Sequence, residues 1–273
     1  MQNTRKKDIR IKAASFRENC RIGRYGIIDL FRECERWGYK LLRYPLGENA
    51  DLGFVMRRDS DIVIYTNTSI RLSREIFTLA HEIGHAILHM ESAASFVDND
   101  NTISGRDVDE MEQEANYFAA CLLMPDDEVT KFLDLEMEDV EDNDLSALDI
   151  AKLMSEFNVS FDMAINRLEN LGKISTEQRL RLDNERNEMR VGNLLRSVGG
   201  NYHLNVSSNI VQIPSEYMQY VIFNYNNNAI PMETLEKTLH YYHLSVDDIK
   251  DKLVVHAEEN EDELADLIGG LTD

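Results

Sequence analysis

His81 and His85 stand four residues apart, with Glu82 directly after the first, in the run FTLAHEIGHAILHME at 77–91. On a helix, residues four apart lie on adjacent turns about 40° apart around the axis, so both imidazoles can aim at one cation. Imidazole is a good ligand for zinc. Glu82 leans beside such an ion rather than onto it, where its carboxylate can take a proton from an attacking water. A lone histidine on an apolar face is usually a satisfied core residue. His-Glu-x-x-His is different: two ligands followed by a general base, a pattern that composition alone yields in about one chain of this length in a hundred.

His89 continues the spacing, but at about 1.5 Å per residue it lies about 12 Å along the axis from His81. Zinc–nitrogen bonds of about 2.1 Å cannot bring all three rings to one ion. His89 is therefore expected beside the site or at the surface. A catalytic zinc has three protein ligands and one open position, so a third ligand must come from elsewhere. The run VDEMEQEANYFAACLLM (108–124) is the best source, with Glu110, Glu112 and Glu114 near its start. Residues two apart on a helix point about 200° away from each other, so Glu112 and Glu114 cannot both face the metal. Glu112 shares its face with Ala115, Asn116 and Ala119, and small residues there permit a close approach to Ala80 and Gly84 of the histidine-bearing segment. Glu112 is preferred on this ground. Glu114 and the loop aspartates Asp98, Asp100, Asp107 and Asp109 stay open. Asn116, one turn past Glu112, is placed to hydrogen-bond a ligand histidine and fix its tautomer.

These residues need elements to hold them. Apolar spacing predicts a helix over 25–38. Strand-like runs follow at 39–46, 53–58 and 61–67, the last two joined by a tight turn at Asp59–Ser60. A helix capped near Ser73 runs to about Met90, residues 91–107 read as a polar loop, and a second long helix covers about 108–123 and stops before Pro125. Residues 145–175 read as helix, turn, helix. A polar helix is expected over 176–196, and two or more short helices lie beyond 210 around a turn near 226–231. The strands at 53–67 are expected to present an edge to which an extended peptide adds by main-chain hydrogen bonds. The fold class is α+β. The division expected is 1–133 for the domain carrying the site, 134–175 for a helix-turn-helix-like segment, and 176–273 for a mainly helical region with an acidic tail.

Composition narrows the partners. The chain has 273 residues and a net charge of −21, which argues against direct DNA binding through phosphate contacts. No apolar run approaches the roughly 18 residues that span a membrane, so no membrane partner is expected. The basic N-terminus has no apolar stretch behind it, unlike a secretory signal. Three cysteines without a CxxC pair fit a reducing, cytoplasmic setting.

FTLAHEIGHAILH followed by EMEQEANYFAACLLMP resembles the ImmA/IrrE metallopeptidases. Phe77, Thr78, Ala80, His81, Glu82, Gly84 and His85 carry the first motif. Glu112, Ala115, Asn116, Phe118, Ala119, Leu122, Leu123, Met124 and Pro125 carry the second. The resemblance implies a zincin-like core and a zinc-dependent endopeptidase with one Zn2+ per chain. It implies His81, His85 and Glu112 as ligands and Glu82 as the base. It further implies a protein substrate, typically a helix-turn-helix repressor of a mobile element, phage or stress response. Two other readings follow from the residues. Segment 145–175 would serve a DNA-binding regulator, although its second helix offers one base, Arg167, against Asp162 and Glu169. Alternatively, the chain would be an inactive partner-binding protein, a role that does not need Glu82. A donor to the developing oxyanion is also expected, with His203, His240, His243 and several tyrosines as open candidates.

Overall fold

A computed structural model describes residues 1–58, 60–90, 95–98 (backbone), 109–137, 144–242 and 244–254. Two compact units divide the chain, Met1–Ile213 and Pro214–Asp273. The family-resembling motifs and the helix-turn-helix-like segment all fall in the first unit.

The first unit is α+β, with a four-stranded sheet in the order β1-β3-β2-β4. β1 (Lys40–Tyr44) runs parallel to β3 (Asp61–Asn67), and β2 (Gly53–Arg58) runs antiparallel to it, with Arg58 opposite Asp61 across the two-residue connection. β4 (Ser95–Asp98) pairs antiparallel with β2, Gly53 opposite Asp98. This corrects two expectations. Residues 91–107 are not wholly loop, because a four-residue strand lies within them. β2 and β3 are interior strands, so among the described residues the sheet's edges belong to β1 and β4. β3 carries the burial of a central strand, with Ile64, Tyr65, Thr66 and Asn67 all inside. The Asn67 side chain is fully used: it donates to Gly47 O (2.8 Å) and Asp51 O (3.2 Å) and accepts from Leu46 N (3.2 Å) and Ser69 N (3.0 Å). It thereby fixes the loop that leads into β2.

Before the sheet come α1 (Asn3–Glu18) and α2 (Leu30–Arg36). The sequence reading did not foresee α1. Its Ile9, Ala13 and Phe16 are buried, a four-then-three spacing that makes one apolar stripe. α3 (Leu72–Leu88) is buried nearly all round, as a central helix must be. It begins one residue before Ser73, with Arg71 at the cap. α4 (Glu110–Leu123) packs along α3. Asp109 caps it, its side chain accepting from Met111 N at 2.9 Å. The close approach is real: a Cβ added to Gly84 would lie 3.2 Å from Ala115 Cα and 3.2 Å from Phe118 Cδ1.

α5 (Asp126–Glu136) leads to α6 (Ala147–Phe157) and α7 (Phe161–Asn170). Ser146 and Asp149 form a capping box on α6, Asn158 turns the chain through the left-handed region at φ 56°, and Ser160 caps α7. Ile150, Leu153, Phe157, Val159, Ile165 and Leu168 are buried in the same core as α3 and α4. Two buried arginines serve the end of α4. Arg17 Nη1 donates to Leu122 O at 3.0 Å and Arg167 Nε donates to Met124 O at 2.8 Å. They satisfy carbonyls that a helix C-terminus leaves open. The expected helix over 176–196 is two, α8 (Thr176–Glu188) and α9 (Val191–Ser197). The following segment returns to the sheet. Arg43 and Gln212 exchange main-chain bonds at 2.8 and 2.9 Å, and Leu72 N donates to Val206 O at 2.9 Å.

In the second unit, α10 (Ser215–Asn226) and α11 (Met232–Tyr241) share a small core of Val221, Leu235, Leu239 and Ile249. Asn226 ties the chain back, donating to Lys252 O at 2.9 Å and accepting from Val254 N at 2.8 Å. The acidic tail expected at 256–267 lies outside the described residues. Among the described residues no helix is long and apolar enough to cross a membrane.

Candidate metal centre

His81, Glu82 and His85 are fully buried on α3, and Glu112 reaches them from α4 with 8% of its surface exposed. His81 Nε2 and His85 Nε2 are 3.0 Å apart. Glu112 Oε2 lies 3.2 Å from His81 Nε2, and Oε1 lies 3.2 Å from His85 Nε2. Three donors sharing a tetrahedral zinc at about 2.0–2.1 Å would stand about 3.3–3.4 Å apart. Each observed separation is close to that, with the two imidazoles meeting different oxygens of the Glu112 carboxylate, and two imidazole lone pairs with a carboxylate are the donor set such an ion takes. The cluster of His81, His85 and Glu112 could hold a metal ion.

Each imidazole is held from behind. Asn116 Oδ1 lies 3.0 Å from His81 Nδ1 and accepts its proton, leaving Nε2 bare toward the cluster. His85 Nδ1 lies 3.0 Å from His89 Nδ1. His89 is buried, and its Nε2 lies 3.0 Å from Glu114 Oε2. Glu114 therefore does not face the cluster. Arg5 grips it with Nε 2.7 Å from Oε1 and Nη2 2.5 Å from Oε2. The Arg5 hydrogen bond, against the penalty of burial and helped by His89, lowers the Glu114 pKa to about 2. Burial lowers the His89 pKa against the pull of Glu114.

Glu82 lies where β2 begins. A Cβ on Gly53 would sit 2.7 Å from Glu82 Oε1, 2.5 Å from Thr78 Cγ2 and 3.0 Å from Tyr65 O. Only glycine lets the strand pass this close to the carboxylate. Behind the start of α3, buried Glu75 takes two bonds from Arg43 (2.7 and 3.1 Å), one from Thr66 Oγ1 (3.0 Å) and one from Ser208 Oγ (3.2 Å). This anchors the motif helix to β1, β3 and the returning segment.

Other expected residues fall elsewhere. Asp109 caps α4 rather than joining the cluster. The side chains of Asp98, Asp100 and Asp107 lie outside the described residues. His203 stacks on Tyr202 with ring centroids 4.1 Å apart, His240 lies in the second unit, and His243 is outside the described residues. Sequence reasoning missed Arg5, Glu75 and Gly53. A short Gly between two strand-like runs was a usable signal for the last.

A sheet beside a buried helix with paired histidines, met by a carboxylate from a second helix, is the arrangement of a metallopeptidase core. The chain belongs to the family of the IrrE N-terminal-like domain, Peptidase_M78, whose model matches residues 34–169. It is also similar to the "Uncharacterized immunity region protein 2" of Bacillus phage phi105, with 33% identity over 85 residues. Those residues are 31% of this chain and 52% of that protein. The chain thus spans about half the length of this curated relative.

Proposed function

We propose that this chain is a zinc-dependent endopeptidase whose substrate is a protein, a helix-turn-helix repressor of a phage, mobile element or stress response. The observation that carries the reading is the convergence of two imidazoles and one carboxylate on one point beside a buried glutamate. His81, His85 and Glu112 would hold one zinc, and Asn116 would orient His81. When bound, zinc supplies Lewis acidity toward water and the scissile carbonyl. Glu82 accepts the proton of the attacking water as the new carbon–oxygen bond forms. It then returns the proton to the leaving nitrogen as the peptide bond breaks. An extended substrate segment would pair with the outer edge of β4, whose inner edge pairs with β2 beside Glu82. The phage immunity-region relative supports a repressor as substrate.

A DNA-binding reading has less support. Arg167, the one base of α7, is buried and bonded to Met124 O, so it does not present its charge to phosphate. The test is cleavage. Zinc-loaded wild type and Glu82→Gln are incubated with the repressor encoded beside the gene and with a mixed peptide library, and fragments are read by mass spectrometry. Site-specific cleavage by wild type alone is expected. No cleavage of either substrate, or equal cleavage by Glu82→Gln, would overturn the proposal.

A further inference from the structure

We propose that His89, Glu114 and Arg5 form a relay that fixes the tautomer and aim of His85, which makes them positioning residues for the metal centre. The inference rests on the metallopeptidase reading above. The proton positions follow from one end of the chain of contacts. Both Glu114 oxygens are gripped by the Arg5 guanidinium, at 2.7 and 2.5 Å, so Glu114 is a carboxylate and only accepts. His89 Nε2, 3.0 Å from Glu114 Oε2, must then be the nitrogen that carries a proton. In the neutral ring this leaves a lone pair on His89 Nδ1, which faces His85 Nδ1 at 3.0 Å. With no cation between these two nitrogens, two lone pairs cannot face each other at that distance, so His85 Nδ1 carries the proton between them; the bare Nε2 atoms of His81 and His85, also 3.0 Å apart, would instead have the zinc between them. His85 Nε2 is left bare, aimed at the point shared with His81 and Glu112.

A ligand histidine is commonly oriented by a carboxylate on its far nitrogen. Here a second imidazole stands between the two, and an arginine fixes the carboxylate. His89 is 4% exposed and Glu114 6%, so water has little access to the bond between them, while Arg5 reaches Glu114 from a partly exposed position. Arg5 comes from α1, outside the family-matched residues 34–169, so the matched segment alone does not carry the relay. His81 is held by the neutral Asn116 amide, while His85 is held by a charge-anchored chain. The two ligand histidines therefore depend on different residues, and the relay acts on His85 alone.

The test uses the full chain with zinc as the only ligand. Zinc affinity is measured by competition with a chromophoric chelator for wild type, His81→Ala, Glu114→Gln, Arg5→Met and Arg5→Lys. Glu114→Gln keeps the shape and removes the charge, so a packing role would leave affinity unchanged. The relay predicts a loss of roughly tenfold or more for Glu114→Gln and Arg5→Met. Arg5→Lys should recover much of it. In parallel, imidazole nitrogen NMR of the zinc-loaded wild type should show His85 protonated on Nδ1 and His89 on Nε2. Wild-type affinity in Glu114→Gln, or the opposite tautomer of either ring, overturns the relay while zinc binding stands. Failure of wild type to bind zinc more tightly than His81→Ala overturns the reading beneath it, and the relay with it.

Discussion

Gly53→Ala tests how tightly the start of β2 holds Glu82. The added Cβ would meet Thr78 Cγ2 at 2.5 Å, Glu82 Oε1 at 2.7 Å and Tyr65 O at 3.0 Å. Against an ordinary contact of about 3.4 Å or more, the first two fall short by roughly 0.9 and 0.7 Å. Tyr65 O is backbone of a central strand and cannot retreat alone. Thr78 is branched at Cβ and fully buried in α3, which restricts its χ1 and leaves it little room to turn away. The Glu82 carboxylate, at the end of a longer side chain, gives way first. Overpacking of this kind costs about 1–3 kcal/mol of stability. A displacement approaching 1 Å at a proton-transferring group costs up to about 100-fold in rate. The assay pairs cleavage of a peptide library with thermal unfolding and zinc content. Gly53→Ala should keep its zinc, lose modest stability and lose at least about tenfold in turnover. A variant that melts early but cleaves at the wild-type rate would refute the placement of Glu82 by Gly53. One unchanged in both would refute the packing argument itself.

Three other outcomes are expected. Glu75→Ala leaves the buried Arg43 guanidinium without its carboxylate and should cost roughly 3–5 kcal/mol in urea unfolding. Gly84→Ala gains about 1 kcal/mol of helix propensity, yet its Cβ meets Ala115 Cα and O at 3.2 and 3.3 Å, and this backbone cannot yield locally. It should thus leave stability near neutral while weakening zinc binding, read by chelator competition, because α3 and α4 are pushed apart. Burial raises the Asp149 pKa, but the Ser146 hydrogen bonds and Lys152 outweigh it and hold the group below its ordinary value. A lowered carboxyl stabilises the fold above the usual carboxylate range and loses that contribution as pH falls through it. Asp149→Ala should cost about 1 kcal/mol at neutral pH and flatten the acid side of the stability profile.

The parts legible in the sequence were those set by local period. The helical spacing around His81 and His85 and the 200° separation of Glu112 from Glu114 need only helix geometry. The alanines facing Gly84 gave the approach of α3 to α4. What stayed hidden depends on distant contacts. β4 is four residues in a polar stretch and becomes a strand by pairing with β2. The α8–α9 break at Met189–Arg190 holds no glycine or proline itself, and the nearest, Gly192, lies inside α9. Arg5 and Glu114 are 109 positions apart, so no spacing rule joins them. α1 is legible in the four-then-three spacing of Ile9, Ala13 and Phe16, which needs only helix geometry.

The most direct test of the central claim is the metal content of the purified chain after zinc is supplied, for wild type, His81→Ala and Glu112→Ala. The account predicts about one zinc per wild-type chain and a small fraction of that in each variant, because each removes one of the three ligands that converge among the described residues. A wild type that holds no zinc, or variants that hold as much as wild type, would contradict it.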